Sequence, residues 1–150
     1  MRSINRKINL IVIHCSATRV DKDYTPEQLE RDHKARGFNS AGYNYYIREI
    51  VSMRPLELIP AHVTGYNKNS IGICYEGGLD PDGNPDDTRT EAQRQSIIRL
   101  LLDLVVQFPD SRICGHRDLS PDLNGNGKIE PDEWMKMCPC FNAEEEYRNI

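Results

Sequence analysis

Apolar and polar positions follow periods that change along the chain. Residues 8–14 are a β-branched, apolar run closed by polar residues, the pattern of a buried strand. Thr25-Pro26-Glu27-Gln28 then marks a helix start: Thr25 as N-cap, Pro26 at the first helical position and Gln28 to close a capping box. That helix runs towards Gly37, a natural stop. Residues 43–50 and 70–75 read as two more strands, and residues 80–87, rich in Pro, Gly, Asn and Asp, as a surface turn. A second capping box, Thr90 with Gln93, opens a helix over residues 92–108. Its Ile97, Leu101, Leu104, Val105 and Phe108 recur at helical spacing and predict one face packed on a sheet. Residues 112–115 form a last short strand that delivers His116 at its end. Strands and helices interleave, so the expected fold is α/β, with a central, mostly mixed β-sheet flanked by helices. At 150 residues, without internal repeats or low-complexity tracts, the chain is expected to be one domain.

Bulk chemistry narrows the partners. A net charge of −4 offers no basic face for phosphates, so no nucleic-acid partner is expected. Five cysteines cannot all pair within one chain. Cys15, Cys74 and Cys114 lie in apolar strand-like runs, whereas Cys138 and Cys140 flank Pro139 in a polar loop. This pattern fits a reducing compartment better than a disulfide framework, and it leaves open whether Cys140 pairs with Cys114 or stays free. Arg2, Arg6 and Lys7 before residues 8–13 imitate a signal peptide, but Asn9 interrupts the apolar part and His14 stands where a small residue is needed. No stretch approaches the ~20 apolar residues of a membrane span. The expectation is a protein that is cytoplasmic as encoded, reaching any extracellular target after lysis or by a dedicated export route. Nothing in the sequence demands more than a monomer.

The chemistry-bearing residues gather at residues 115–141: Gly-His116-Arg-Asp, an acidic loop, then Lys136-Met-Cys138-Pro-Cys140-Phe. With His14, they supply two imidazoles and a thiolate that can converge on one metal. Neutral His and Cys thiolate are borderline-soft donors suited to zinc, and three protein ligands leave the fourth position open, as in catalytic sites. His14 and His116 fall at strand ends, where α/β sheets collect ligands. Spacing alone does not bind His14 to the others, and Cys140 competes with Cys138 as the third ligand.

Several motifs in order carry a resemblance: Ile-Val-Ile-His14-Cys-Ser-Ala-Thr, Gly42-Tyr43-Asn44-Tyr45, Ala61-His62-Val-Thr-Gly-Tyr-Asn67-Lys-Asn-Ser70-Ile-Gly-Ile-Cys, Gly115-His116-Arg-Asp and Lys136-Met-Cys138-Pro139. Over nearly its whole length the chain resembles the zinc-dependent N-acetylmuramoyl-L-alanine amidases, the family of phage lysozyme-type amidases and peptidoglycan recognition proteins. The resemblance implies His14, His116 and Cys138 as zinc ligands. It makes Tyr43 the tyrosine that assists at the scissile carbonyl and Lys136 the lysine that stabilises charge developing during attack. It prefers Cys138 over Cys140 because Cys-Pro directly after Lys-x is the family pattern, and it puts His62 and Asn67 in the substrate groove. The implied activity is zinc-dependent hydrolysis of the amide between N-acetylmuramic acid and L-alanine, with peptidoglycan or muropeptides as partners. The alternative is a non-catalytic peptidoglycan-binding module on the same fold. Such members typically lose the thiolate ligand, which is present here as Cys138. His33 reads as a surface residue on the polar face of the first helix.

The chain departs from the family between His116 and Cys138, where an inserted segment matches the EF-hand loop template. Asp122, Asn124 and Asn126 stand at positions one, three and five, Gly127 at six, Lys128 at seven with its carbonyl, and Glu133 at twelve. Structural calcium at residues 122–133 is the expectation. A helix leaving the loop near Pro131 is expected to carry Trp134 and Lys136. A calcium-responsive docking protein is a third reading, weakened because such loops usually come in pairs.

Overall fold

The computed structural model describes residues 5–48 and 50–150. Arg2 of the basic run and Glu49 of the predicted second strand lie outside the described residues. A five-stranded sheet forms the centre, in the order β4-β3-β5-β1-β7. Its strands are β1 (Leu10–Cys15), β3 (Tyr45–Ile47), β4 (Ile50–Ser52), β5 (Ser70–Tyr75) and β7 (Arg112–Gly115). β1 is flanked in parallel by β5 and β7, β3 joins β5 in parallel, and only β4 runs antiparallel at the edge. The sheet is therefore mixed, as the pattern implied. Two short strands, β2 (Thr18–Arg19) and β6 (Gly78–Leu79), pair separately.

Both β1 and β5 are buried along their whole length, as a central strand covered on two faces must be. Ile11, Ile13, Ile71 and Ile73 pack on Ile97, Leu100, Leu101 and Leu104 of helix α2 (Glu91–Gln107). The alternate residues Leu10 and Val12 point the other way and meet Val63 and Cys114. Helix α1 (Pro26–Ala35) covers this second face further along, where Leu29 meets Tyr46 and Cys74. Thr25 caps α1 by accepting from the Gln28 amide, and Thr90 with Gln93 forms the predicted reciprocal box on α2. Among the described residues, no helix is long and apolar enough to cross a membrane.

Three expectations need correction. The strand predicted over residues 43–50 is a hairpin: Ile47 pairs with Ile50, so the chain reverses after Arg48. The sequence between the two strands lacks the Gly or Asn that announces a tight turn. The helix expected after Pro131 is a single 3₁₀ turn, Pro131–Glu133, because Trp134 is extended at φ −67°, ψ 123°. His33 is 6% exposed rather than on the surface. It lies one turn after Leu29 on the inward face of α1, stacks edge-on against Phe38, and its Nδ1 accepts the Gly42 amide at 2.7 Å.

Candidate functional site

Parallel neighbours end at the same edge of a sheet, and that edge is where the predicted residues meet. His14 is the fifth residue of β1, on the face shared by Leu10 and Val12. His116 follows β7 directly, opening the 3₁₀ turn His116–Leu119, which Asp118 fixes by accepting the Gly115 amide at 2.7 Å. The two imidazoles stand edge to face, 4.7 Å between ring centres. Cys138 arrives from the far loop. Its carbonyl accepts the Arg117 amide at 2.9 Å, and its Sγ accepts the Cys15 amide at 3.1 Å. The Sγ lies 3.8 Å from His14 Nδ1, and the ligand atoms of His14, His116 and Cys138 all lie within 4.8 Å of one another. Around a tetrahedral zinc, with bonds of about 2.0 Å to nitrogen and 2.3 Å to sulfur, such donors sit roughly 3.5 Å apart. A contraction of about an ångström therefore closes this group on an ion, and the donor set fits zinc.

Cys140 does not join the group. Its Sγ turns towards the opposite side of β1, 4.0 Å from Cys15 Sγ and 3.3 Å from the Gly78 carbonyl. The contact with Cys15, with burial, pushes its thiol up and keeps it protonated, a poor ligand. All five cysteines are free, and Cys140 lies beside Cys15 rather than Cys114.

Electrostatics favour metal binding. Burial first, then His62, His116 and Lys136, hold His14 well below the usual histidine range. Burial and Lys136 hold His116 down to about 4, and burial, His116 and two arginines hold His62 at about 3. Each imidazole is neutral near pH 7 and keeps a lone pair. Tyr43 packs on His14 with ring centres 4.9 Å apart. Burial, reinforced by Cys74 and Cys138, raises its phenol well above 10, so it remains an O–H donor. The approach of Tyr43 depends on Gly42, where an added Cβ would meet the Ala61 carbonyl oxygen at 2.2 Å.

Outside the cluster opens a groove of about 370 Å³. Arg36, Phe38, Thr64, His62, His116 and the exposed Lys136 are among its lining residues. Asn67 also borders it, but its side-chain oxygen accepts the amides of His62 and Val63, both at 2.9 Å. His62 reaches inwards, its Nδ1 2.7 Å from His14 Nε2.

The EF-hand-like loop is folded on its own amides. Asp122 accepts from Gly125 and Gly127, Asn124 from Asn126, and Asn126 from Lys128. Glu133, 4% exposed, accepts from Leu123, Asn124 and Glu130. The Lys128 amide is engaged in this way. Calcium at these residues therefore rests on spacing alone.

Two contributors were not foreseen. His33 holds the Gly42 amide that precedes Tyr43; its i, i+4 relation to the apolar Leu29 was the available signal. Arg89, 6% exposed, joins Asp87 to Glu146 and Tyr147 and lies 3.3 Å over the Phe141 ring, anchoring the segment after Cys138. No local pattern announces that clamp.

Comparison with known proteins finds relatives over most of the chain. The family model described as N-acetylmuramoyl-L-alanine amidase matches residues 4–133. The endolysin of Klebsiella phage KP32 is 33% identical over 135 residues, covering 88% of this chain and 80% of the relative. Among solved structures, the N-acetylmuramoyl-L-alanine amidase LysC from Clostridium intestinale superposes with a TM-score of 0.70 at 28% identity, covering 96% of this chain and 84% of that one. A point mutant of Drosophila PGRP-LB, solved in complex with tracheal cytotoxin, has a TM-score of 0.70 at 19% identity, covering 99% and 84%; at that distance it shows the fold.

Proposed function

The chain belongs to the N-acetylmuramoyl-L-alanine amidase family, and from that premise we propose that it hydrolyses the amide between N-acetylmuramic acid and L-alanine in bacterial peptidoglycan, using zinc held by His14, His116 and Cys138. The observation that carries this reading is the convergence of two neutral imidazoles and a half-buried thiol at one sheet edge, open to a groove. When bound there, zinc supplies Lewis-acid polarisation and a water whose pKa falls towards ~7.

The chain's own residues do the rest. The Tyr43 phenol, kept protonated, donates to the scissile carbonyl oxygen as negative charge grows on it. The Lys136 ammonium, on the groove rim near both histidines, stabilises the same charge from the solvent side. Phe38 and Thr64 offer an apolar and a polar wall to the muropeptide. The phage endolysins among the relatives support wall lysis as the setting. Retention of the thiolate ligand favours the enzyme over a non-catalytic binding module.

The decisive experiment incubates a defined N-acetylmuramoyl-peptide with the protein and follows it by mass spectrometry, before chelation, after it, and after zinc add-back. Release of peptide with a free L-alanine amine, lost and restored with zinc, is expected. Intact substrate despite bound zinc turns the reading to the binding module. Tyr43→Phe, which removes one donor to the developing charge, is expected to lower kcat by roughly 10²-fold with little change in stability. Calcium belongs to the finer part of this reading: held at residues 122–133 it would stiffen the approach to Lys136 and Cys138. Identical melting with and without calcium would sink that part alone.

A further inference from the structure

We infer that His62 is the positioning residue of His14, fixing its imidazole as the Nε2–H tautomer so that the Nδ1 lone pair faces Cys138. The inference rests on the zinc reading above, and it replaces direct substrate contact as the task of His62.

The geometry leaves few choices. His14 Nδ1 is the nitrogen on the Cys138 side, 3.8 Å from Sγ, and His14 Nε2 lies 2.7 Å from His62 Nδ1. Two ring nitrogens at that distance share one proton. His62 Nε2 lies in turn 2.7 Å from Ser70 Oγ, whose hydroxyl is 3.5 Å from the Asn67 carbonyl. Suppose the shared proton sat on His62. The neutral His14 would then carry its own proton on Nδ1, aimed at the thiol, with no lone pair for a metal. With the proton on His14 Nε2, every group finds a role: His14 donates to His62, His62 donates to Ser70, and Ser70 can donate to the Asn67 carbonyl. Only this arrangement frees His14 Nδ1 as a ligand. A metal-binding histidine commonly has its other nitrogen held by a partner, and such partners set ring orientation and affinity.

The surroundings hold His62 independently of anything in the groove. The Asn67 side-chain oxygen takes the amides of His62 and Val63 and fixes the backbone from which the ring projects. Beneath the ring lies Gly72 of β5, where an added Cβ would come within 3.0 Å of the imidazole. The strand therefore leaves a recess there, and the ring fills it. Both ring nitrogens are used by His14 and Ser70, leaving none for a substrate.

Two variants separate the hydrogen bond from the packing. His62→Leu keeps bulk but removes the acceptor. His62→Asn can place its Oδ1 where Nδ1 stood and accept from His14 again. Zinc affinity of the purified protein is measured by competition with a chromogenic chelator, and the melting midpoint of the metal-free protein checks the fold. His62→Leu is expected to bind zinc about 10- to 100-fold more weakly, as loss of such a partner typically does, and His62→Asn to recover most of that. Nitrogen-15 NMR of the zinc form is expected to read His14 as protonated at Nε2. Wild-type affinity in a folded His62→Leu protein overturns the inference, as does equal weakening in both variants. If His62→Leu does not fold, Ser70→Ala takes its place. A few-fold loss of affinity at an unchanged melting midpoint supports the chain of hydrogen bonds, and no loss overturns it. A wild-type protein that takes up no zinc is a separate result, which removes the zinc reading itself and this inference with it.

Discussion

The two halves of the site are held by different kinds of structure. His14 and His116 stand at the ends of neighbouring parallel strands, and His62 and Tyr43 are braced against the same sheet. Their positions follow from backbone ladders and a buried apolar core. Lys136 and Cys138 instead sit on an irregular segment, which holds its shape mainly through side-chain bonds to backbone. Glu133 gathers three amides, Ser120 Oγ accepts the Met135 amide at 3.1 Å, and the Arg117 guanidinium lies 3.8 Å over the Trp134 ring. Beyond Cys138, the Tyr75 hydroxyl donates to the Pro139 carbonyl at 2.6 Å and Arg89 clamps residues 141–147. The sheet half is built in advance; the loop half must be fastened to it. Local opening draws on regions with few buried apolar contacts, so the loop half is where the site should come apart first.

The largest effect should come from the thiol that the loop half brings to the two histidines. Cys138→Ala is expected to abolish zinc uptake and turnover while the metal-free protein keeps its unfolding free energy within about 1 kcal/mol. Comparable loss of fold would mean that the halves are not separable. Next is Arg89→Met, which takes the buried cation from Asp87, Glu146 and the Tyr147 hydroxyl and leaves the two carboxylates to the more exposed Arg94, at 3.1 and 3.9 Å. Because the two carboxylates are partly exposed, the cost is expected at the low end for a broken buried pair, roughly 2–3 kcal/mol of global stability by denaturant unfolding. Smallest is Glu133→Ala, which frees three amides at roughly 1–3 kcal/mol. Hydrogen exchange should speed up across residues 121–137 and leave β1 and β5 unchanged. Equal acceleration in the strands would erase the distinction drawn here.

The same division explains what could be read from the sequence. β5 and β7 match their apolar runs residue for residue, and both long helices announce themselves by their caps, because strand and helix signals are local. Sheet order was not legible, since the pairings of β1 join distant segments. His14, His116 and Cys138 were named, yet only the resemblance could unite residues 124 positions apart, as His14 and Cys138 are. The β3–β4 reversal was hidden because the sequence between the strands holds no Gly or Asn. His33 was misplaced because a histidine on a helix counts as polar until its partner, here the Gly42 amide, is known. Arg89 finds Glu146 57 residues away, beyond the reach of any periodicity.

The central place of β1 has a kinetic consequence. Its neighbours β5 and β7 lie about 60 and about 100 residues downstream, so neither ladder can form early in synthesis. Until then the nascent chain carries Leu-Ile-Val-Ile as an unpaired apolar strand with both edges open, a template for wrong partners. This fold is therefore expected to close late and slowly for its size. Its yield in a cell should depend on chaperone shielding of that one strand more than on the stability of the finished protein.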